Sequence, residues 1–122
     1  MNRPRIQASD DVSTIIAKLG AELGGSAGAF ALLARFRVNE GAQDTVAAAF
    51  AEARAATLRE AGCFAYELHR EAGDPASLVV YERWRSLTDL EAHLRTPHVV
   101  KLRGELDALI VGAPEFATLL PA

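Results

Sequence analysis

The residues best suited to chemistry in this chain lie at positions 80–99, in the sequence VYERWRSLTDLEAHLRTPHV. A predicted strand ends there on Glu82 and Trp84, and a predicted helix that carries His93 begins directly after it. His98 follows in a Thr-Pro-His corner. A carboxylate, an indole and two imidazoles beside a strand-to-helix corner can bind a small molecule and exchange protons with it.

The two histidines of this segment are the candidate catalytic residues. His93 lies beside the apolar stripe of its helix, between Leu90 and Leu94, which suits either a base facing a pocket or a histidine hydrogen-bonded between helix and sheet. His98 lies in the first turn of the next helix, where the helix dipole favours a neutral ring. A neutral imidazole is a suitable general base near pH 7, but this position is also typical of an exposed residue at a helix start.

Four further residues are candidate substrate contacts: Phe36, Tyr66, Glu82 and Trp84. Glu82 and Trp84 point to one face of their predicted strand, and Tyr66 lies on the strand that precedes it. The phenol of Tyr66 can donate a hydrogen bond to a ligand, or the ring can simply pack. The alternative interpretation makes Trp84 a core residue and Glu82 a capping or salt-bridging residue.

No cofactor or metal motif accompanies these residues. The sequence has no G-x-G-x-x-G and no phosphate-binding loop. His69, His93 and His98 lack the spacing of four that pairs metal ligands on a helix, and no adjacent carboxylates complete a facial triad. The single cysteine, Cys63, excludes an internal disulfide and a cysteine metal cluster, and no base is paired with it. We predict a site with neither cofactor nor metal.

The composition is that of one folded domain. Half of the 122 residues are hydrophobic and 24% are charged. A net charge of -3 without any basic block argues against nucleic-acid binding. No apolar run reaches the ~20 residues of a membrane span, and the first residues lack the apolar segment of a secretory signal. The prediction is a cytoplasmic protein that binds no membrane.

An amphipathic helix is predicted near the start of the chain, from Asp11 to Leu23. Its apolar residues recur at helical spacing, Asp10 is a possible N-cap, and two glycines follow it. We predict that residues 1–27 form a helical extension and linker, and that residues 28–122 form the main domain. The helix is expected to pack on its own subunit or on a partner subunit.

The main domain is predicted to be α+β, with the ferredoxin-like order β-α-β-β-α-β and an antiparallel sheet. The predicted strands are Phe30–Val38, Cys63–Glu71, Ser77–Arg85 and Glu115–Leu120. The predicted helices are Gln43–Ala61, one capped by Ser86 and one that starts at Pro97 and ends at Gly112.

Both faces of the third predicted strand are apolar. Leu78 and Val80 point to one face, whereas Val79 and Tyr81 point to the other. The helices of this topology cover only one face of the sheet, and a large exposed apolar face is unusual for a monomer. We therefore predict a homodimer.

Three stretches of the sequence resemble the antibiotic biosynthesis monooxygenase family. They are the F-x-V-x-x-G strand exit at residues 36–41, the segment GCFAYELHRE at residues 62–71, and residues 80–99. The resemblance extends from Phe30 to Leu120 and implies two sheets packed face to face in a dimeric α+β barrel. His93 lies where the recurrent histidine of the family lies.

The resemblance also bears on the reaction. Haem-degrading members carry an asparagine on the first strand, a tryptophan on the helix after the third strand and a histidine ligand farther on. Here those positions hold Ala34, His93 and Arg103. The chain thus resembles the members that oxidise quinols, anthrones or related polyphenols with O2 and without a cofactor.

Two other classes of function are compatible with the same sequence. One is a non-catalytic dimer that binds a small molecule or has a structural role. The other is a non-oxygenase enzyme on the same scaffold, such as an isomerase or an enzyme that detoxifies a reactive carbonyl metabolite. Oxygen consumption with hydroquinones and anthrones separates the monooxygenase from both.

Overall fold

A computed structural model of the chain describes residues 5–7 and 9–122. Helix α1 precedes the main domain, whose elements follow in the order β-α-β-β-α-α-β. The elements are α1 (Val12–Glu22), β1 (Phe30–Val38), α2 (Gln43–Thr57), β2 (Cys63–Glu71), β3 (Asp74–Trp84), α3 (Leu87–Leu94), α4 (Pro97–Asp107) and β4 (Ile110–Leu119). Among the described residues, none of the helices is long and apolar enough to cross a membrane.

The four strands form one antiparallel sheet in the order β2-β3-β1-β4. The central strand β1 pairs Phe30 with Trp84 and Phe36 with Leu78 on β3. Its residues alternate, so that Leu32 and Ala34 are buried among the helices while Arg35 is exposed on the opposite face. The predicted ferredoxin-like α+β fold is confirmed.

Strand β2 contains an irregularity that changes which residues face the core. Its pairing with β3 shifts between Cys63 and Ala65. Strict alternation would place Phe64 on the same face as Tyr66, but the shift in pairing separates them. Phe64 is 47% exposed, and the guanidinium carbon of Arg83 lies 5.3 Å from the centre of its ring. The bulge leaves Tyr66 on the core face, opposite Glu82.

The helix starts follow their capping residues. The Ser86 hydroxyl accepts a hydrogen bond from Asp89 N at the start of α3, and Thr96 accepts one from Val99 N at the start of α4. The N-cap of α1 is Asp11, not Asp10. Asp10 instead accepts a bond from Gln7 N and pairs with Lys18.

The helix ends were predicted less well. Helix α2 ends at Thr57 and not at Ala61. Thr57 is buried and Leu58 is 43% exposed, whereas a helix continued to Ala61 was expected to bury Leu58. Helix α4 ends at Asp107, and Leu109 closes its last turn by donating to Leu106 O. Gly112, expected as the helix stop, lies within β4 with φ +74°.

Strand β3 is longer than predicted, because pairing with β2 begins immediately after the turn. Glu71 faces Asp74 across the hairpin, so the strand starts there and not at Ser77. The Asp74 carboxylate accepts from Ala76 N and from Arg37, which holds the first residues of β3 against β1.

Residues 5–7 and 9–28, called here the N-terminal arm, pack against the main domain. Helix α1 contacts α3. Its residues Ile15 and Leu19, together with Leu23, are buried in the same hydrophobic cluster as Phe30 and Trp84. The arm thus completes the core of the domain it precedes.

Candidate active site

A cavity of about 140 Å³ lies between the core face of the sheet and the helices. Most of its lining is apolar and comes from β1, β4, α4 and the N-terminal arm. Five lining residues carry polar groups: Gln7, Tyr66, Glu82, His93 and Arg103. An apolar cavity with a few convergent polar side chains is the usual form of a small-molecule site.

His93 is the most constrained of these polar residues. The cap at Ser86 fixes the start of α3, and two turns later the helix directs His93 into the core, where it is 2% exposed. Its ring packs 4.5 Å from that of Trp84 and 5.2 Å from that of Tyr66 between centroids. Burial lowers the pKa of His93, and the neighbouring Glu60 carboxylate opposes that shift.

Glu60 fixes which nitrogen of His93 can act as a base. One Glu60 oxygen lies 3.0 Å from His93 Nδ1. A carboxylate only accepts hydrogen bonds, so Nδ1 carries the proton and Nε2 keeps its lone pair. His93 lines the cavity and is thereby held in the tautomer whose Nε2 can act as a general base.

His98 lies on the far side of the same carboxylate. Its Nε2 is 2.8 Å from Glu60 Oε2 and 3.2 Å from Thr96 Oγ1. The Thr96 hydroxyl donates to His93 O, so Glu60 and Thr96 are both acceptors and His98 Nε2 is the donor. His98 supports Glu60 and does not line the cavity.

Glu82 is the second buried ionisable group of the cavity. Its Oε1 accepts a hydrogen bond of 2.9 Å from the indole Nε1 of Trp84. Burial raises the pKa of Glu82 to about 7, since desolvation disfavours its charged form more than the indole bond favours it. Burial likewise raises the pKa of Tyr66 well above its usual range, which keeps the phenol protonated.

Tyr66, Glu82 and His93, with Glu60 behind His93, form what we call the polar wall of the cavity. At pH 7 this wall offers a neutral imidazole with a free lone pair, a carboxyl that is partly protonated and a neutral phenol. A base and two proton donors at one surface can remove a proton from a ligand and stabilise an oxyanion.

Glu60, His93 and His98 are also the residues that could hold a metal ion. Their ligand atoms all lie within 4.8 Å of one another. The two Glu60–histidine separations, 3.0 and 2.8 Å, are shorter than the roughly 3.3 Å expected between ligands of a tetrahedral zinc ion with bonds of 2.0–2.1 Å. As observed, the three residues form a hydrogen-bonded cluster, and the absence of a metal stays a prediction.

The structure brings together four of the six residues that the sequence nominated. Those that line the cavity are Phe36, Tyr66, Glu82 and His93. Trp84 is fully buried behind His93 and Glu82, where it holds both without facing the cavity. His98 is separated from the cavity by Glu60.

Glu60 is the residue that sequence reasoning missed. It lies 33 positions before His93, inside the predicted helix Gln43–Ala61, and was not singled out. Helix α2 in fact ends at Thr57, and the turn that follows carries Glu60 across to α3 and α4. Gly62, two residues after it, permits this approach, because a Cβ there would lie 2.3 Å from Asp89 Cγ. The Glu-x-Gly spacing was the available signal.

Three further residues with reactive or charged side chains lie away from the cavity. Arg35 and Arg37 are exposed on the opposite sheet face, paired with Glu71 and Asp74 at 2.6 Å. Burial raises the pKa of the Cys63 thiol to about 11, so the thiolate needed of a nucleophile is disfavoured.

Comparison with known proteins gives consistent results. A family model described as antibiotic biosynthesis monooxygenase matches residues 29–104. The Mycobacterium tuberculosis protein named putative monooxygenase Rv0793 is 31% identical over 91 residues, which cover 75% of this chain and 89% of that protein. The Escherichia coli K12 protein named probable quinol monooxygenase YgiN is 36% identical over 58 residues, 41% of this chain and 56% of YgiN.

Solved structures also match. The structure of Rv0793 aligns with a TM-score of 0.71 and 29% identity, covering 77% of this chain and 95% of that one. A Caulobacter crescentus protein, described as a putative antibiotic biosynthesis monooxygenase, aligns with a TM-score of 0.74 over 79% of this chain and 92% of its own. Its identity of 22% supports the likeness of fold alone.

Proposed function

The chain belongs to the antibiotic biosynthesis monooxygenase family, and we propose that it is a cofactor-free monooxygenase that oxidises a small aromatic quinol, anthrone or related polyphenol with O2. The observation that carries the proposal is the buried His93, whose Nδ1 is bonded to Glu60 and which lines a mostly apolar cavity. In this reaction the substrate itself is the reductant, so the protein has to supply only a base, proton donors and a dry aromatic pocket.

The first step is proton abstraction. His93 Nε2 takes the proton of a substrate hydroxyl, and Glu60 stabilises the imidazolium that forms because its carboxylate accepts the Nδ1 proton in a charge-assisted bond. The phenolate left in the cavity is a much stronger electron donor than the phenol. Apolar surroundings strengthen its tendency to pass electrons to O2, since they solvate the negative charge poorly.

The reaction with O2 that follows needs no external reductant, because the substrate supplies the electrons. The phenolate gives its electrons to O2 and a carbon–oxygen bond forms, producing a hydroperoxide on the ring. The oxygen–oxygen bond breaks, the outer oxygen leaves as water and the ring keeps the inner one. For a hydroquinone the balance is one quinol plus O2 giving one hydroxyquinone plus water, and the proton held by His93 returns on the departing oxygen.

Glu82 and Tyr66 are suited to the charged stages of this sequence. A neutral Glu82 carboxyl and the Tyr66 phenol can donate hydrogen bonds to an oxyanion or to the peroxide. The raised pKa of both groups supports this role, because each keeps its proton near neutral pH where an ordinary carboxylate would not.

Oxygen uptake tests the proposal directly. The protein is given methylhydroquinone with chelator present and no added metal or flavin. We expect one O2 consumed per substrate, one atom of ¹⁸O₂ retained in the product and no hydrogen peroxide. Binding without oxygen uptake would support the non-catalytic alternative, and conversion of substrate without oxygen would support an isomerase or other non-oxygenase.

The proposal includes a homodimer. The sheet face opposite the helices carries Leu33, Val79 and Tyr81 between charged residues, and Phe64 and Leu119 are exposed on it. A second copy placed on that face would remove this apolar surface from water, as the family resemblance also implies. Light scattering at micromolar concentration is expected to give twice the chain mass, and a stable monomer would refute the dimer.

A further inference from the structure

The N-terminal arm supplies one wall of the cavity. Ile6, Ile15 and Leu19 line it and are respectively 2%, 6% and 0% exposed. The apolar stripe of α1, which the sequence shows as a helix face without saying what it contacts, is thus turned toward the space where the proposed substrate binds. This wall is apolar, apart from Gln7.

This wall lies outside the part of the chain shared with the family. The family model begins at residue 29, after the arm. The Rv0793 structure aligns over 95% of its own length but over only 77% of this chain. About a quarter of this chain therefore has no counterpart there, and the arm lies before the first residue that the family model matches.

The arm is held in place at several points. Arg103 on α4 donates a hydrogen bond of 2.5 Å to Asp10 O. Lys18 Nζ donates to Arg5 O at 2.5 Å and pairs with the Asp10 carboxylate at 3.1 Å. At the other end of α1, Glu22 accepts a bond of 3.1 Å from Thr118 N on β4. These contacts make the arm a fixed part of the cavity wall.

The resulting cavity has the size of a single aromatic ring. Its volume is about 140 Å³, and an apolar cavity of about 150 Å³ is known to hold one benzene molecule. We propose that the N-terminal arm is the specificity-determining wall of the site and restricts it to single-ring phenols and hydroquinones. The inference rests on the proposed function for the chemistry of the ligand, and it excludes the fused-ring anthrones from the substrates of the intact chain.

Two substitutions of the same kind in the arm provide the test. Leu19→Ala removes a side chain that lines the cavity, whereas Leu23→Ala removes one that is equally buried, one turn later, and does not line it. Both variants lose core packing, so both are first checked for folding by circular dichroism and for unfolding in urea. Binding of methylhydroquinone, 1,4-naphthohydroquinone and anthrone is then measured by calorimetry under nitrogen.

The intact chain is expected to bind methylhydroquinone and to bind anthrone at least about tenfold more weakly. Leu19→Ala should improve the affinity for naphthohydroquinone relative to methylhydroquinone by about tenfold or more, while Leu23→Ala leaves that ratio unchanged. Equal affinities of the intact chain for one and three rings would overturn the inference, as would the same ratio in both variants. If Leu19→Ala does not fold, Ile15→Ala at the same wall replaces it.

Calorimetry under nitrogen requires no turnover, so this test is independent of the proposed reaction. Correct size selection with no oxygen uptake would refute the monooxygenase and leave the arm as the wall that selects ligands. Oxygen uptake with equal use of one-ring and three-ring substrates would support the monooxygenase and refute the arm as the wall that selects ligands.

Discussion

The two walls of the cavity differ in origin and in chemistry. The polar wall lies within the family match, and its His93 is hydrogen-bonded to Glu60, which lies 33 residues earlier in the sequence. The N-terminal arm lies outside the match and contributes mainly aliphatic surface. In this molecule the groups suited to reaction and the surface suited to size selection therefore belong to separate segments of the chain. Changes in one wall should alter rates and proton chemistry, and changes in the other should alter only which ligands fit.

The largest effect is expected from His93→Ala in the polar wall. Loss of the base should lower kcat by ~10²–10⁴-fold in the oxygen-uptake assay, because general-base catalysis contributes an effect of that size. His69→Ala is the matched control, since His69 is on the exposed side of β2, paired with Glu67. Full activity of the His93 variant would make that histidine structural and would end the general-base mechanism.

The next largest effect is expected for Glu82, and it concerns the pH dependence of the free energy of unfolding. Its folded-state pKa of about 7 lies above the value of 4.5 for an unfolded chain, so the folded protein holds this proton more tightly. The stabilisation is full below pH 4.5 and is lost as pH rises through 7. Wild type should lose about 3 kcal/mol from this group between pH 4 and pH 8. In Glu82→Gln, urea unfolding at the two pH values should lack that loss; an identical pH dependence in both proteins would contradict the buried neutral carboxyl.

A smaller effect is expected from Glu60→Gln, which tests a positioning residue. The amide keeps the size of the side chain but lacks the charge that favours the protonated His93 ring. We expect kcat to fall roughly tenfold or more and the acidic limb of the kcat/KM profile to move to lower pH, because the pKa of His93 drops. A rate loss with no movement of that limb would show that Glu60 only supports the fold.

The smallest effect is expected from His98→Ala. His98 bonds to Glu60 but does not line the cavity, so its loss should lower kcat by less than about tenfold. The acidic limb of the pH profile should shift slightly to higher pH, opposite to the shift for Glu60→Gln, because the nearby His98 ring lowers the pKa of His93. A loss as large as that of His93→Ala would place both histidines in the reaction and would end the distinction drawn between them.

The sequence predicted the bounds of β1 and β2, but not the starts of β3 and β4 or the ends of α2 and α4. Strands β1 and β2 have the predicted bounds because a switch to alternating apolar residues and a glycine mark them. Leu58 and Leu109 continue the helical period beyond the real ends of α2 and α4, so periodicity alone extended both helices. An apolar residue in the right phase does not show that backbone hydrogen bonding continues.

Only those site residues that local sequence periodicity directs to the core were predicted. His93, Glu82, Tyr66 and Phe36 were found because strand and helix periods direct them to the core face. Glu60 was not found, since its partners lie more than 30 residues away on other elements. The arm was recognised as an amphipathic helix, but a periodic face does not reveal what covers it.

The hydrogen bonds that hold the arm have a consequence for how the sequence of this protein can evolve. The side chains of Arg103 and Lys18 donate hydrogen bonds to main-chain oxygens, those of Asp10 and Arg5 respectively. Every residue type supplies the same main-chain oxygen, so these fastenings survive substitution of the side chains at positions 5 and 10. Mutations along the arm can therefore accumulate without releasing it, and a lineage could explore new ligands while its reactive residues remain untouched.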